Sequence, residues 1–265
     1  SMKGRFTSSR GANNSAAFIA KRFQHIGLSP IAGNDGYYSF YSIRIESESF
    51  LAKNVVAGIK GKTSPDTIVI FSAHYDHIGF IPKDVDHVLK DSIYNGANDN
   101  ASGVATMIEL AKYYKAKNKN RYTLVFVAFS GEETGLNGSR DFAAKLDKKK
   151  VHAVINFDMV GRPVAENKKY AMVIGENSYF VNKLLNKQLL NKKNFFVRDQ
   201  FPYYDLISRS DHASFPHYSN AISIMCTAPY DIYYHKVGDE LETIDFEFLF
   251  TTTTNIARAC EVFIQ

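Results

Sequence analysis

The stretch YTLVFVAFSGEETGLNGS, from Tyr122 to Ser139, joins a continuous apolar run to two adjacent carboxylates. Residues Tyr122–Phe129 lack the alternation of a half-exposed strand, and their unbroken apolar character is typical of a strand covered on both faces of a sheet. Glu132 and Glu133 follow after a serine and a glycine. Like charges at neighbouring positions repel, so a packed strand end gains nothing from this pair. We therefore interpret the two acids as part of a site at the end of a buried strand.

Similar apolar runs recur along the chain and alternate with segments of helical periodicity. The alternation predicts an α/β protein, a three-layer α/β/α sandwich with helices on both faces of one sheet. No repeat, linker or shift in composition divides the chain, so we expect a single catalytic domain over residues 1–265. The other predicted strands cover residues 67–73, 151–157, 171–175 and 221–225, and the predicted helices cover 16–27, 104–115, 178–191 and 245–264.

The composition is that of a globular protein, with 265 residues, 45% hydrophobic residues and a net charge of +5. Lysine clusters at 115–121 and 145–150 could form a nucleic-acid or membrane patch, but solvated surface is the simpler interpretation, because no RNA-binding pattern accompanies them. No apolar run approaches the length of a membrane span. We expect neither a nucleic-acid partner nor a membrane span.

The two cysteines, Cys226 and Cys260, cannot build a disulfide framework. Whether they pair with each other is left open by the sequence. Cys226 follows a run with the character of a buried strand, which favours an inert core thiol.

Potential metal ligands follow the predicted strands or precede the next helix. In α/β sheets, binding sites form at the carboxyl ends of the strands, so these side chains are expected to meet at one edge. Each of these residues has a simpler interpretation as a hydrogen-bonded histidine, a turn residue or a helix cap. In the case of Asp99, Asn100 or Ser102 could cap the helix instead. The five candidate ligands are His74, Asp99, Glu133, Asp158 and His235.

Two imidazoles and three carboxylates form the mixed nitrogen and oxygen set that suits zinc, with manganese or cobalt as substitutes. Five donors are too many for one tetrahedral catalytic zinc with an open position, so we predict two Zn²⁺ ions. Asp99 is the natural bridge between them. His74 and Asp158 then complete one set of donors, and Glu133 and His235 complete the other.

Two more carboxylates have predicted roles beside the metals. Asp76 lies two residues after His74, and alternate residues of an extended chain share a face, so Asp76 can accept the imidazole N–H and orient His74. Glu132 is predicted to act as the general base toward a water between the metals. It would take the proton of that water, the hydroxide would attack a carbonyl, and the acid would then protonate the leaving nitrogen.

The segments SAHYDHIG, DSIYNGANDNASGVATMIELA, FVAFSGEETGLNGS, INFDMVGR and YYHKVGDELETID, in this order, resemble the co-catalytic dizinc aminopeptidase family of bacteria and fungi. The resemblance covers nearly the whole chain. It implies a zinc-exopeptidase fold with a mixed, mostly parallel central sheet, peptide substrates, and the same roles for the seven residues named above. Members are often exported, so we expect a periplasmic, surface or secreted protein, although no signal peptide is visible.

The resemblance also implies roles for three residues near the site. Tyr234, before the last histidine, can hydrogen-bond the tetrahedral oxyanion in some members, although packing is an equal alternative. Arg209 and Asp211 can touch substrate or order their loop, and a structural salt bridge is an equal alternative. The acidic insert at 79–92, which holds Asp84, Asp86 and His87, is interpreted as a solvated loop.

The resulting hypothesis is a zinc-dependent aminopeptidase that hydrolyses N-terminal residues from peptides. The first alternative is a glutaminyl cyclase, a relative that uses a single zinc and tends to place tryptophan around its pocket; this chain has no tryptophan. The second is a non-catalytic binding module of the same fold, which would be expected to have lost ligands or the base.

Overall fold

One mixed eight-stranded sheet organises the protein. The computed structural model describes residues 2–45, 47–81, 92–189, 194–216, 218 and 220–265. In spatial order the sheet strands are β1 (Tyr38–Ile45), β2 (Glu48–Ile59), β6 (Tyr122–Phe129), β3 (Ser64–His74), β7 (Val151–Asp158), β10 (Ala221–Met225), β8 (Ala171–Ile174) and β9 (Phe196–Arg198). A separate antiparallel pair consists of β4 (Gly79–Phe80) and β5 (Ile93–Tyr94).

The four central strands β6, β3, β7 and β10 run parallel, so their carboxyl ends meet at one edge. Antiparallel pairings join β1 to β2, β2 to β6, and β10 to β8, while β9 pairs parallel with β8. The sheet is therefore mixed and mostly parallel at its centre, as predicted. The parallel centre is what brings the ends of β3, β6 and β7 together.

Among the residues that the structure describes, five α-helices flank the sheet. One face carries the larger apolar core, in which Phe23, Tyr114 and Phe248 from three different helices pack against buried strand residues such as Phe71 and Phe126. The other face is covered by Phe142 of one short helix and by the loop around Phe215. The helices are α1 (Arg10–Ile26), α2 (Gly103–Lys117), α3 (Asn137–Ala144), α4 (Ser178–Lys187) and α5 (Phe246–Ala259).

The predicted α/β sandwich is confirmed, with differences at the helix ends. Helix α1 begins six residues earlier than predicted, because the Ser9 side chain accepts the Ala12 N–H at 3.1 Å and caps it. It ends at Gly27, which has the left-handed φ of 80° expected of a terminating glycine. The short helix α3 was not predicted. It begins inside the polar stretch GLNGS and covers only eight residues, so no long apolar pattern marks a helix there.

Two smaller expectations concern the cysteines and the membrane. Cys226 and Cys260 are both free and buried, so they do not pair. In the described part of the chain, no helix is both long and apolar enough to cross a bilayer. The insert residues Asp84, Asp86 and His87 lie outside the described residues.

Candidate metal centre

The five predicted ligands converge at the carboxyl edge of the parallel strands. His74 is the last residue of β3, and Asp158 is the last residue of β7. Glu133 follows β6, Asp99 lies just before α2, and His235 lies on the loop after β10. Two strand ends and three loops therefore supply the donors.

The first set of donors consists of His74, Asp99 and Asp158. His74 Nε2 lies 3.3 Å from Asp99 Oδ1 and 3.6 Å from Asp158 Oδ1. All three residues are buried, and Asp158 Oδ1 has no hydrogen-bond partner. A buried carboxylate oxygen without a donor is costly unless a cation or water completes it, so this oxygen is well suited to a metal.

The second set shares Asp99 through its other oxygen. His235 Nε2 lies 3.2 Å from Asp99 Oδ2 and 3.2 Å from Glu133 Oε2. The two oxygens of Asp99 thus face different histidines, which is the arrangement required of a carboxylate that bridges two cations.

These separations fit zinc. Two donor atoms that each lie about 2.0–2.1 Å from a tetrahedral zinc ion are about 3.3–3.4 Å apart. The four nitrogen–oxygen distances across the two sets range from 3.2 to 3.6 Å. The donor types and their spacing are both those of zinc sites.

The loop after β6 explains how adjacent acids can act separately. Gly131 has a left-handed φ of 74°, and a side chain there would meet the Tyr41 hydroxyl. The Asn137 N–H then donates to the Gly131 carbonyl at 2.8 Å, which closes the loop onto the start of α3. The turn places Glu132 and Glu133 together at the strand end, and of these two acids only Glu133 lies at ion-pair distance from His235.

Asp99 is not needed to cap helix α2, because Asn100 does so, and its carboxylate is therefore available to a metal. Asn100 Oδ1 accepts the N–H of Gly103, the first residue of α2, at 3.0 Å. Asn100 Nδ2 also donates to the Phe157 carbonyl at 2.9 Å. The capping alternative considered for Asp99 is thus filled by Asn100.

Burial and neighbouring charges shift the pKa values of the metal-free site. Burial lowers the pKa of His74, but Glu132, Asp158 and Asp99 outweigh it and raise that pKa well above 6.5. His235 behaves similarly, since hydrogen bonds with Asp99 and Glu133 outweigh burial and raise its pKa to about 10. The donor cluster therefore attracts positive charge strongly, as a cation site must.

Glu132 has the opposite shift. Burial raises its pKa well above the usual range; the charge of His74 opposes this shift, while the charges of Glu133, Asp211 and Asp158 raise the pKa further. A carboxyl group with a raised pKa can accept and return a proton near neutral pH. This is the property that a general base and acid requires.

Asp76 holds His74 differently from the prediction. His74 Nδ1 lies 3.2 Å from the main-chain oxygen of Asp76 and 3.8 Å from its carboxylate. The carboxylate is occupied elsewhere, because it accepts the Thr7 hydroxyl at 2.8 Å and the Glu132 N–H at 3.2 Å. Asp76 thus connects His74, through its backbone, to the loop of the predicted base, through its side chain.

His77 and Ser210 contact the ligands and were missed in the sequence. His77 is fully buried, and its Nδ1 lies 2.6 Å from Glu133 Oε1. Ser210 donates to Asp158 Oδ2 at 2.6 Å. Each contacts a carboxylate that is predicted to bind metal, as partners of metal ligands commonly do. The signal for His77 is its place in the segment SAHYDHIG, beside His74 and Asp76.

The three other predicted site residues lie around the centre. Tyr234 and Arg209 line a small cavity of about 40 Å³ together with His74, Asp99 and Glu132. The Tyr234 ring stacks on His235, with centroids 3.9 Å apart.

Asp211 has a different environment from Arg209. It is fully buried, neither carboxylate oxygen has a hydrogen-bond partner, and burial raises its pKa to about 7. Arg209 is exposed, and these two described residues form no ion pair with each other. The salt-bridge alternative for this pair is therefore not what the structure contains.

Solved structures share this fold. The structure of BSAP, a zinc aminopeptidase from Bacillus subtilis, matches with a TM-score of 0.73 at 15% identity, covering 100% of this chain and 92% of that chain. A glutaminyl cyclase from Bacteroides thetaiotaomicron matches with a TM-score of 0.73 at 19% identity, covering 97% and 92%. At these identities the comparison establishes the common fold and no more.

Sequence comparisons establish the family. A probable zinc metalloprotease of Pyrenophora teres f. teres (strain 0-1) is 41% identical over 115 residues, a match that covers 43% of this chain and 23% of that protein. The chain thus spans only about a quarter of the length of that relative. The model of peptidase family M28 matches residues 54–260, a range that contains all five predicted ligands and Glu132. The chain therefore belongs to peptidase family M28.

Proposed function

We propose that the protein is an aminopeptidase that binds two zinc ions and hydrolyses N-terminal residues from peptides. The observation that carries this proposal is the pair of donor sets that share Asp99, one oxygen facing His74 and the other facing His235. A site for a single zinc needs only one such set. Zinc, when bound, supplies a Lewis acid that polarises a carbonyl and lowers the pKa of water to about 7.

The residues of the chain supply the proton transfers. Glu132 lines the cavity beside His74, Asp99 and Asp158, where it can reach a water or a substrate bound among them. It takes the proton of the attacking water and returns it to the leaving nitrogen. Asp76 keeps this residue in place through the hydrogen bond to its main-chain N–H.

The size and charge of the site support an action at chain ends. The cavity is small, and its apolar side is formed by Met159, Leu206 and Met225. These apolar side chains can contact the side chain of a terminal residue. Carboxylates at its floor, among them Glu132 and Asp158, provide negative charge that would attract a free ammonium group.

The experiment combines zinc analysis with a panel of substrates. Purified protein should contain two zinc ions per chain and should hydrolyse aminoacyl amides and short peptides with a free N-terminus. N-acetylated versions of the same peptides are the matched controls and should not be hydrolysed. One zinc per chain with cyclisation of N-terminal glutamine would identify a glutaminyl cyclase instead. Two bound zinc ions with no hydrolysis of any aminoacyl substrate would indicate a binding module.

A further inference from the structure

Arg162 forms a buried charge cluster beside the metal centre. Its side chain is only 9% exposed and contacts two carboxylates. Nη2 donates to Asp231 Oδ1 at 2.8 Å, and Nη1 donates to Asp239 Oδ1 at 2.8 Å. Neither Arg162 nor these acids contacts any of the five ligand side chains directly, so a role must act through the backbone.

On one side of the cluster, Asp239 contacts the backbone of Asp99, the predicted bridging ligand. Asp239 is fully buried, and its Oδ2 accepts the main-chain N–H of Asn98 at 3.0 Å and that of Asp99 at 2.9 Å. The main-chain oxygen of Asp239 also accepts the N–H of Ala97 at 3.0 Å. Three consecutive N–H groups before α2 are therefore bound to one residue, which fixes the backbone from which the Asp99 carboxylate extends.

On the other side of the cluster, Asp231 contacts the loop that carries His235. Asp231 Oδ1 accepts the Tyr233 N–H at 3.0 Å, and the Asp231 main-chain oxygen accepts the Tyr234 N–H at 3.1 Å. The Arg162 guanidinium lies over the Tyr233 ring, 5.0 Å from its centroid. The two residues that precede His235 are thus held against the same arginine.

Arg162 also lies four residues after Asp158, on the segment that follows β7. Asn98 Oδ1 accepts the N–H of Gly161 at 2.7 Å, and the Thr227 hydroxyl donates to the Arg162 carbonyl at 2.8 Å. Segments that carry Asp99, Asp158 and His235 are therefore joined at one point, although they are far apart in sequence.

We infer that Arg162 is a positioning residue that sets the spacing between Asp99 and His235 for zinc. The inference rests on the proposed two-zinc function. Lysine cannot replace arginine here, because a single ammonium group cannot reach two carboxylates in the fixed planar fork of a guanidinium. The first donor set depends less on this cluster, since His74 and Asp158 are themselves strand residues.

The test is a zinc titration against a competing chelator that resolves two dissociation constants. His235→Ala assigns one constant to the second donor set. In Arg162→Lys and in Asp231→Asn, we expect that constant to rise by about 10–100-fold, the usual effect of removing a partner of a metal ligand, with a smaller change in the other constant. Arg121→Lys is the matched control, because Arg121 also lies over a tyrosine ring, Tyr122, but at the opposite end of the strands.

A readout without metal separates this inference from the proposed function. In the metal-free protein, amide hydrogen exchange of Asn98 and Asp99 should accelerate in Arg162→Lys, and that of Tyr233 and Tyr234 should accelerate in both Arg162→Lys and Asp231→Asn, with no change in Arg121→Lys. If both zinc constants and this exchange stay at wild-type values in the two variants, the inference is wrong. Equal weakening of both constants would also overturn it, since that pattern indicates general destabilisation. Failure of the wild type to hydrolyse peptides would count against the proposed function alone.

Should Arg162→Lys not fold, Asp231→Asn carries the test, because the Asp231 carboxylate is only partly buried and asparagine has nearly the same shape. In Asp231→Asn we expect zinc to bind the second donor set more weakly. The kcat of the fully zinc-loaded variant should change by a smaller factor than this dissociation constant. A purely structural residue would change both alike.

Discussion

The two donor sets of the metal centre are built in different ways. His74 and Asp158 end strands of the central sheet, and both are almost fully buried. His235 lies on a loop, and its side chain is 36% exposed. The first set is thus positioned by the backbone of the sheet, whereas the second depends on side chains that hold its loops. The difference indicates that a strand end needs little support to place a ligand, while a loop ligand needs a network around it.

The largest effect is expected from a substitution at Asp99, which both donor sets share. Asp99→Asn keeps the size of the side chain but loses its charge, so we expect both zinc ions to be lost and activity to fall to background. Zinc analysis after gel filtration measures this. Asp141→Asn, which changes an aspartate paired with Lys145 on the surface, is the control. An Asp99→Asn protein that retains two zinc ions would refute the bridging role.

The next effect concerns Glu132, which belongs to neither set in the predicted scheme. Glu132→Gln should lower kcat by about 10²–10⁴-fold, because glutamine cannot accept the proton, while two zinc ions remain bound. Steady-state kinetics and metal analysis on one sample test both parts. Near-normal turnover would rule out the assignment of Glu132 as base, and loss of zinc would make it a ligand instead.

Stability of the metal-free protein compares the two histidines directly. At pH 7 the raised pKa of His74 keeps it protonated among buried carboxylates, so His74→Ala should cost about 3–5 kcal/mol of unfolding free energy. His235→Ala should cost only about 1 kcal/mol, because water can replace a half-exposed imidazole. Denaturant unfolding in a chelator gives both values. Equal costs would mean that the two sets are held alike.

A third histidine sharpens the comparison, because it is buried without acidic partners. Burial lowers the pKa of His212 to about 4, and neither ring nitrogen has a hydrogen-bond partner. Between pH 6.5 and 4 the unfolded chain binds a proton at this residue that the folded chain does not, so stability falls as the pH falls through this window. The expected loss is about 3 kcal/mol.

The measurement is the difference in unfolding free energy between the wild type and His212→Asn, both free of metal, from pH 7 to pH 4. The variant should lose less stability on acidification than the wild type. Parallel curves for the two proteins would show that His212 titrates normally in the folded state.

Much of this architecture could be predicted from residue patterns, for reasons that the structure makes clear. Continuous apolarity located Tyr122–Phe129 and residues 221–225 to the residue, because both strands are buried over most of their length. The ligands were recognisable because hard donors follow apolar runs. The directions in which the ligand side chains and their partners point could not be recognised from the sequence. Asp76 was expected to hold His74 by its carboxylate and does so by its main-chain oxygen.

The supporting network was beyond prediction because its members are far apart in sequence. Arg162 and Asp239 are 77 residues apart, and Asp239 and Asp99 are 140 apart. Nothing local to an arginine or an aspartate distinguishes a buried partner from a solvated charge. Such pairs become visible only when the sheet has brought the loops together.

The pairing of Asp99 with Asn100 has a consequence for how this centre can change. Asn100 caps α2 and binds the end of β7, while Asp99 faces the two histidines. Architecture and chemistry are therefore assigned to consecutive residues rather than combined in one. A substitution at Asp99 can alter the choice of metal while the helix remains intact, so the site is open to redesign without rebuilding the fold beneath it.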